Sequence, residues 1–376
     1  MLKNRLHLAS PHMSGLEMQY INEAFATNWV APLGKNVTEF EKEICSYVGA
    51  KHAVALSSGT AAIHLGLKAL GVGSGDIVFC SSYTFAASCN PINYLGAKPV
   101  FIDSEYDSFN MSPIALQKAY SKYNNPKAII VVNLYGNSAN FDALKKIIAH
   151  YNTPILEDAA ESLGATFNGK QTGTFGDIGI FSFNGNKIIT TSGGGMAITD
   201  NKEWRDKMLY WATQAREAAP WYEHTDIGYN YRLSNICAGI GRGQLQVLNN
   251  RVERKKEIYN LYKKEFSANS LISMCPIPKN CKPTHWLSVI SLDKKCKVSF
   301  MNIVNKLDSL NIEARPTWKP MHMQPVFKNA PFFSHLESSS VCENLFNRSL
   351  CLPSDTKMTN DDIKFIARTI NEMTIG

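Results

Sequence analysis

The chain has 376 residues, 44% of them hydrophobic, and a formal charge of +7. That length suits two domains, or one large domain with a smaller one, and that hydrophobic share fills a sizeable core. The charge is scattered, and its densest cluster, Arg251, Arg254, Lys255 and Lys256, falls in a helical stretch that reads as a solvated face, which argues against a nucleic-acid partner.

Nine cysteines stand at irregular spacing with no CxxC pair, and several lie in apolar runs such as Ile77-Val78-Phe79-Cys80. They read as small buried hydrophobes in a reducing compartment, with no disulfide framework and no metal site. The first residues lack the apolar core of a signal peptide, and no apolar run reaches the roughly 18 residues of a membrane span. A cytoplasmic protein without a membrane segment is the expectation.

In chain order, residues 16–28 read as an amphipathic helix with Leu16, Tyr20, Ile21, Ala24 and Phe25 on one face. The Pro/Gly loop Asn28-Trp29-Val30-Ala31-Pro32-Leu33-Gly34 follows, then a helix over 36–48 closed by Gly49. A strand over 53–56 enters Ser57-Ser58-Gly59-Thr60 and a helix over 61–70. A strand, a small polar turn and a helix N-terminus make an anion site, because free N–H groups and the helix dipole favour phosphate. A plain N-cap by Ser58 or Thr60 explains the same residues equally well.

Strands over 77–80, 99–103, 128–133 and 154–156 then alternate with helices over 85–95, 113–122 and 142–151. The last of these strands delivers Glu157-Asp158-Ala159-Ala160-Glu161. Strands over 177–183 and 195–199 flank a loop that carries Lys187, and Gly193, Gly194 and Gly195 let it turn back where bulkier residues would clash. A helix over 202–214, a loop rich in aromatics and charge, and a long helix over 236–266 come next. That helix is expected to join a large domain, residues 1–245, to a small α+β domain, residues 246–376, with Pro276, Pro278 and Pro283 at the break. A strand over 286–292, a helix over 300–310, a strand over 312–315 and a helix over 361–373 complete the chain.

This alternation implies an α/β fold with a mostly parallel sheet between helices. Ligands bind such sheets at the carboxyl ends of the strands. Ser58 to Thr60, Ser82 to Phe85, Asp158 and the Lys187 loop all follow strand ends, so they are expected to share one crevice. Lys187 stands in an otherwise apolar segment. From a loop it could reach solvent, whereas burial disfavours an ammonium and makes the amine a nucleophile that forms a Schiff base. An aldehyde cofactor with a pyridine ring and a phosphate needs such a lysine, a carboxylate at the ring nitrogen, a phosphate cup and an aromatic cover. Lys187, Asp158, Gly59-Thr60 with Ser182, and Phe85 supply that set. Singly, Asp158 could cap a turn and Phe85 could be core. All four at successive strand ends make the stronger signal.

Six segments carry a resemblance that spans nearly the whole chain: Ala31-Pro32-Leu33-Gly34, Ser58-Gly59-Thr60-Ala61-Ala62, Tyr83-Thr84-Phe85, Glu157–Gly164, Phe181–Gly195 and Gly228–Asn235. In order and spacing the chain resembles the DegT/DnrJ/EryC/StrS sugar-nucleotide aminotransferases, a branch of the fold type I enzymes that use pyridoxal 5′-phosphate. The resemblance implies that Lys187 holds the cofactor as a Schiff base and shuttles the proton. It implies that Asp158 pairs with the pyridine nitrogen and Glu161 contacts the phenolic oxygen. Gly59, Thr60 and Ser182 would bind phosphate and Phe85 would stack on the ring. Asn230 would reach the phosphate of the neighbouring subunit, making a homodimer with shared active sites. Asn28, Trp29, Val30 and Ala31 would line the sugar site. Arg232, Arg315, Trp318 and His322 are candidates for the nucleotide, with interdomain packing an equal alternative for Trp318 and His322.

Many members of the family carry a glutamate where Ser192-Gly193-Gly194-Gly195 stands here, a change of charge that removes no required group. Relatives with histidine in place of the lysine deoxygenate sugars instead, so Lys187 points to transamination. Asn184–Met196 and Gln214-Ala215-Arg216-Glu217 resemble the branch that makes UDP-4-amino-4,6-dideoxy-N-acetylglucosamine, the bacillosamine precursor. The implied reaction moves nitrogen from L-glutamate to C4 of a UDP-2-acetamido-2,6-dideoxy-4-ketohexose. A GDP-linked 4-ketosugar of the perosamine type is the alternative substrate, and a non-catalytic pyridoxal-phosphate-binding protein is the more distant one.

Overall fold

The computed structural model describes residues 4–375. Its large sheet has eight strands, in the order His52–Leu56, Gly195–Thr199, Ile178–Ser182, Ile155–Asp158, Ala128–Val132, Ile77–Ser81, Lys98–Ile102 and Phe332–Phe333. Neighbours run parallel except at Gly195–Thr199, which is antiparallel to both strands beside it. The all-apolar strand Ala128–Val132 is buried along its length because helices cover both faces. Alternate side chains serve opposite layers. Val78, Ile130, Leu156 and Ile180 pack with Ile63, Leu65 and Leu67 of the helix Gly59–Ala69. Phe79, Ile129 and Val131 pack with Leu116 and Leu144 of the helices Pro113–Lys122 and Phe141–Ile148. This is an α/β fold with a mostly parallel sheet between helices.

Two smaller antiparallel sheets complete the architecture. One has four strands, Ile272–Met274, Ser288–Leu292, Ser349–Leu352 and Arg315–Pro316, and packs with the helices Leu248–Glu265, Phe300–Ser309 and Asn360–Ile375 through Ile258, Ile290, Ile303, Leu350 and Ile366. The other has three strands, Cys281–Lys282, Thr166–Phe167 and Lys170–Gln171.

Three expectations are corrected. The helix over 236–266 is two helices, Asn235–Leu245 and Leu248–Glu265, which change direction at Gln246-Val247. The first packs on Glu17–Ala26 and Lys35–Val48, the second on Asn360–Ile375, and one straight helix cannot serve both surfaces. The helix over 85–95 is a 3-10 turn, Ala86–Ser88, followed by the short helix Asn90–Tyr94. Pro91 in its first turn has no N–H to continue a helix arriving from residue 85. Finally, Lys255 does not belong to a solvated face. It shares the buried stripe of Leu248, Ile258 and Tyr262, and its Nζ donates to the carbonyls of Trp286 and Ser354, each at 2.8 Å.

Candidate active site

A cavity of about 300 Å³ opens at the carboxyl ends of the strands. Gly59, Thr60, Phe85, Asp158, Glu161, Ser182, Lys187 and Trp318 all line it. It lies where the helix Gly59–Ala69 begins and where Ile155–Asp158 and Ile178–Ser182 end.

Lys187 follows Ile178–Ser182 in a turn in which its own N–H donates to the Asn184 carbonyl at 2.9 Å. The loop returns through Phe183 N–H to Gly194 O at 2.9 Å and Thr191 N–H to Phe183 O at 3.0 Å. Its left-handed residue is Ser192, at φ 71°. Two of the three glycines stand where a bulkier residue would clash, as expected, while a Cβ on Gly193 would meet open space. A Cβ on Gly194 would sit 2.3 Å from Thr191 Oγ1, and one on Gly195 would sit 2.3 Å from the Ser58 carbonyl carbon. Gly195 lets the returning strand press against the start of the helix, and Gly194 lets the loop close on Thr191. The Lys187 side chain is 13% exposed, with Nζ 3.6 Å from Glu161 Oε1 and 4.1 Å from the centroid of the Trp286 ring.

Asp158 is fully enclosed. Its Oδ2 accepts from Ser88 Oγ at 2.7 Å, and its Oδ1 accepts from Ala160 N–H at 3.1 Å. Ser88 Oγ in turn lies 2.7 Å from Thr84 Oγ1. Burial raises the Asp158 pKa against the opposing pull of Ser88, Ala160 and the Lys187 ammonium. Burial likewise raises Glu161, against Lys187 and the Tyr135 N–H that donates to its Oε2 at 2.8 Å. Glu157, one residue before Asp158, faces the other way. It accepts from the N–H groups of Gly173, Phe175 and Gly176 and from Asn133 Nδ2, and so braces the segment leading into Ile178–Ser182.

Ser58 caps the helix, with Oγ accepting from Ala61 N–H at 3.0 Å. Gly59 and Thr60 then stand where a helix leaves N–H groups without intrahelical partners. A Cβ on Gly59 would lie 3.2 Å from Ser182 Cβ, so glycine lets the Ser182 hydroxyl close in on the helix start. Phe85 is 53% exposed, which removes it from the core, and its ring lies 5.1 Å from that of Trp318. Trp318 is fixed by its backbone N–H, which donates to Tyr135 Oη at 2.9 Å.

Other candidates lie outside this cavity. The carbonyls of Trp29 and Ala31 accept from Asn235 Nδ2 and Asn235 N–H at 2.9 and 2.8 Å, which holds the Asn28–Ala31 loop, with Trp29 and Val30 facing outward. Asn230 is exposed, opposite Thr213 in an isolated bridge. Arg232 donates to Glu41 Oε1 at 2.7 Å and to the Ala55 carbonyl at 3.0 Å. Arg315 pairs with Glu313 at 2.6 Å on an exposed edge. His322 holds Ser82 Oγ at 2.7 Å and Glu343 Oε1 at 3.0 Å, and its ring stacks on Phe332 at 3.7 Å.

Ser88 and Trp286 were absent from the residues read out of the sequence. Ser88 had a faint signal, standing one helical turn after Thr84. Trp286 had none, because it reaches Lys187 from a distant part of the chain.

A cavity with an enclosed lysine, a buried carboxylate, a helix start and an aromatic cover, set on this sheet, defines an aminotransferase-type site. The profile of the DegT/DnrJ/EryC1/StrS aminotransferase family matches residues 11–371, and the chain belongs to that family. It is a pyridoxal-phosphate-dependent nucleotide-sugar aminotransferase. It is 51% identical over 365 residues to the putative pyridoxal phosphate-dependent aminotransferase EpsN of Bacillus subtilis (strain 168), covering 96% of this chain and 94% of that protein. It is 35% identical over 362 residues to the GDP-perosamine synthase of Escherichia coli O157:H7, covering 96% of each. The crystal structure of a DegT DnrJ EryC1 StrS aminotransferase from Brucella abortus superimposes with a TM-score of 0.85 at 27% identity, over 95% of each chain. The donor set suits the cofactor: an amine, an enclosed carboxylate, and a helix start kept open by Gly59 and Gly195. Among the described residues no His, Cys, Asp and Glu cluster could hold a metal ion, and no helix is long and apolar enough to cross a membrane.

Proposed function

We propose that the enzyme aminates C4 of a UDP-linked 2-acetamido-2,6-dideoxy-4-ketohexose, with L-glutamate as donor, to give UDP-4-amino-4,6-dideoxy-N-acetyl-D-glucosamine. The observation that carries the transamination is the enclosure of Lys187 Nζ, 3.6 Å from Glu161 Oε1, in the cavity that also contains Asp158. Bound pyridoxal phosphate supplies a ring that withdraws electrons from the carbon bearing nitrogen. Asp158 suits the ring nitrogen, because an enclosed carboxylate with two donors can hold a proton there. Lys187 moves the proton at the reacting carbon, and Glu161 faces its ammonium. Gly59, Thr60 and Ser182 suit the phosphate, and Phe85 covers the ring face. Arg315, with its neighbours Trp318 and His322, suits a diphosphate and a uracil.

The UDP-linked substrate is supported by the Asn184–Met196 and Gln214–Glu217 segments. A GDP-linked 4-ketosugar is the second reading, favoured by the 35% identity to a GDP-perosamine synthase. A homodimer is supported by Asn230 and the Asn28–Ala31 loop, which lie outside the chain's own cavity, and by exposed Trp29, Trp221, Tyr222 and Ile227. In that dimer Asn230 reaches the partner's phosphate site, and Asn28 to Ala31 line a sugar site. A large domain over 1–245, a small one over 246–376 and a cytoplasmic location belong to the same reading. The test is turnover of UDP- and GDP-linked 4-keto-6-deoxy sugars with glutamate, followed by NMR of the product. An amine at C4 of the UDP sugar is expected. Preferred turnover of the GDP sugar would establish the second reading instead.

A further inference from the structure

Trp286 reaches the cavity from the segment just before Ser288–Leu292, and its side chain is among the most fully buried in the protein. It is clamped at both ends. Its indole N–H donates at 2.8 Å to the carbonyl of Asn186, the residue that precedes Lys187. Its own carbonyl accepts at 2.8 Å from Lys255 Nζ, whose second bond goes to the Ser354 carbonyl, also at 2.8 Å. Between these clamps the ring face stands 4.1 Å from Lys187 Nζ. A ring face attracts an ammonium without accepting its proton. Glu161 Oε1, at 3.6 Å, supplies the counter-charge from another direction.

We propose that Trp286 is a positioning residue for Lys187: its ring holds the ammonium in the site whenever the amine is not bonded to cofactor, and Lys255 anchors the backbone that carries the ring. The lysine would be free whenever the donor's amine occupies the cofactor in its place, and its flexible four-carbon stem must then stay within reach of the reacting carbon. A ring face attracts the ammonium without fixing it in one hydrogen bond, so the amine can move along it. The inference rests on Lys187 being the cofactor lysine, and the experiments below separate the two.

The first readout uses cofactor-free protein. Lysines are reductively methylated with 13C-formaldehyde and observed by NMR, and Lys187 is assigned by its loss in Lys187→Arg. The Lys187 methyl signal is expected upfield of the other lysines through the ring current of Trp286. It should return to the common position in Trp286→Leu and move part of the way in Lys255→Met. A Lys187 signal at the common position in the parent protein would overturn the proposal, as would an unchanged shift in Trp286→Leu. The second readout is the single-turnover rate of the cofactor-loaded enzyme with L-glutamate. Trp286→Leu should slow it about two- to thirtyfold, the span of cation–π contacts from exposed to desolvated, with unchanged half-saturation by the donor, and Trp286→Phe should restore most of the rate. A parent-like rate in Trp286→Leu would overturn the proposal. Should Trp286→Leu fail to fold, Trp286→His and Lys255→Met carry both readouts. Borohydride reduction distinguishes the two failures. Cofactor fixed elsewhere than Lys187 in the parent would sink the functional reading, whereas cofactor fixed to Lys187 with a parent-like rate in Trp286→Leu would sink only the role of Trp286.

Discussion

Ser88→Ala probes how the protein keeps Asp158 ionised. The substitution removes a 2.7 Å hydrogen bond to Asp158 Oδ2 and cuts the chain that begins at Thr84 Oγ1. Thr84, Ser88 and Asp158 are 1%, 2% and 4% exposed, so solvent has no ready route to replace the lost donor. A hydrogen bond to a charged group contributes about 1.5–3 kcal/mol, or roughly one to two pKa units. Burial already holds the Asp158 pKa above its ordinary value, and loss of Ser88 raises it further. Fewer molecules then carry the carboxylate that retains a proton on the ring nitrogen. Cofactor affinity should fall by up to roughly ten- to 150-fold at pH values below the raised one. The deficit should shrink as the pH rises past the raised value, because the carboxylate then forms in both proteins. The assay is titration of cofactor-free protein with pyridoxal phosphate across pH 6 to 8.5, read by visible absorbance. Parent-like affinity at every pH would refute the reasoning, and a loss independent of pH would show that Ser88 acts by shape alone.

Asp158→Asn should lower turnover by at least about 100-fold. Because the folded pKa of Asp158 is raised, its contribution to stability is full below the ordinary carboxylate range and lost as the pH rises through the raised value. Cofactor-free Asp158→Asn should therefore gain melting temperature relative to the parent on going from pH 4 to pH 8, and the opposite trend would contradict the burial argument. Arg232→Ala breaks a mostly enclosed pair with Glu41, whose Oε1 also accepts from Ala55 N–H at 2.7 Å, and should cost about 3 kcal/mol in urea unfolding. The KM of the folded enzyme for sugar nucleotide should hold, whereas a large KM rise with unchanged melting would return Arg232 to the nucleotide site. Lys255, lowered by burial to about 8, adds stability that is complete above its ordinary value of 10.5 and is lost as pH falls through 8. Relative to Lys255→Met, the parent should gain about 3 kcal/mol across that window, and a flat difference would show that the amine is not held in an apolar setting.

Much of this architecture was legible because the physics is local. Short apolar runs alternating with helical stripes can close only as a mostly parallel sheet, and strand ends then gather Ser58, Asp158, Ser182 and Lys187. What escaped depends on distant packing. No glycine or proline marks the turn at Gln246-Val247, since two separate surfaces impose it. Lys255 lay on the stripe of Leu248 and Tyr262, but its charge argued for solvent, and only the carbonyls of Trp286 and Ser354 make its burial tolerable. The glycines after Lys187 were legible as places where bulkier residues would clash, which holds at Gly194 and Gly195, whereas the left-handed angle at Ser192 had no such mark. Trp286 carries no local pattern and meets Lys187 only once the chain has folded back on itself.

Borohydride reduction of the purified enzyme, followed by peptide mass spectrometry, tests the chemistry most directly. The reduced cofactor should be found on the peptide that contains Lys187, and Lys187→Ala should retain none of it covalently. Cofactor fixed to another lysine, or covalently retained by Lys187→Ala, would contradict the assignment on which the mechanism rests.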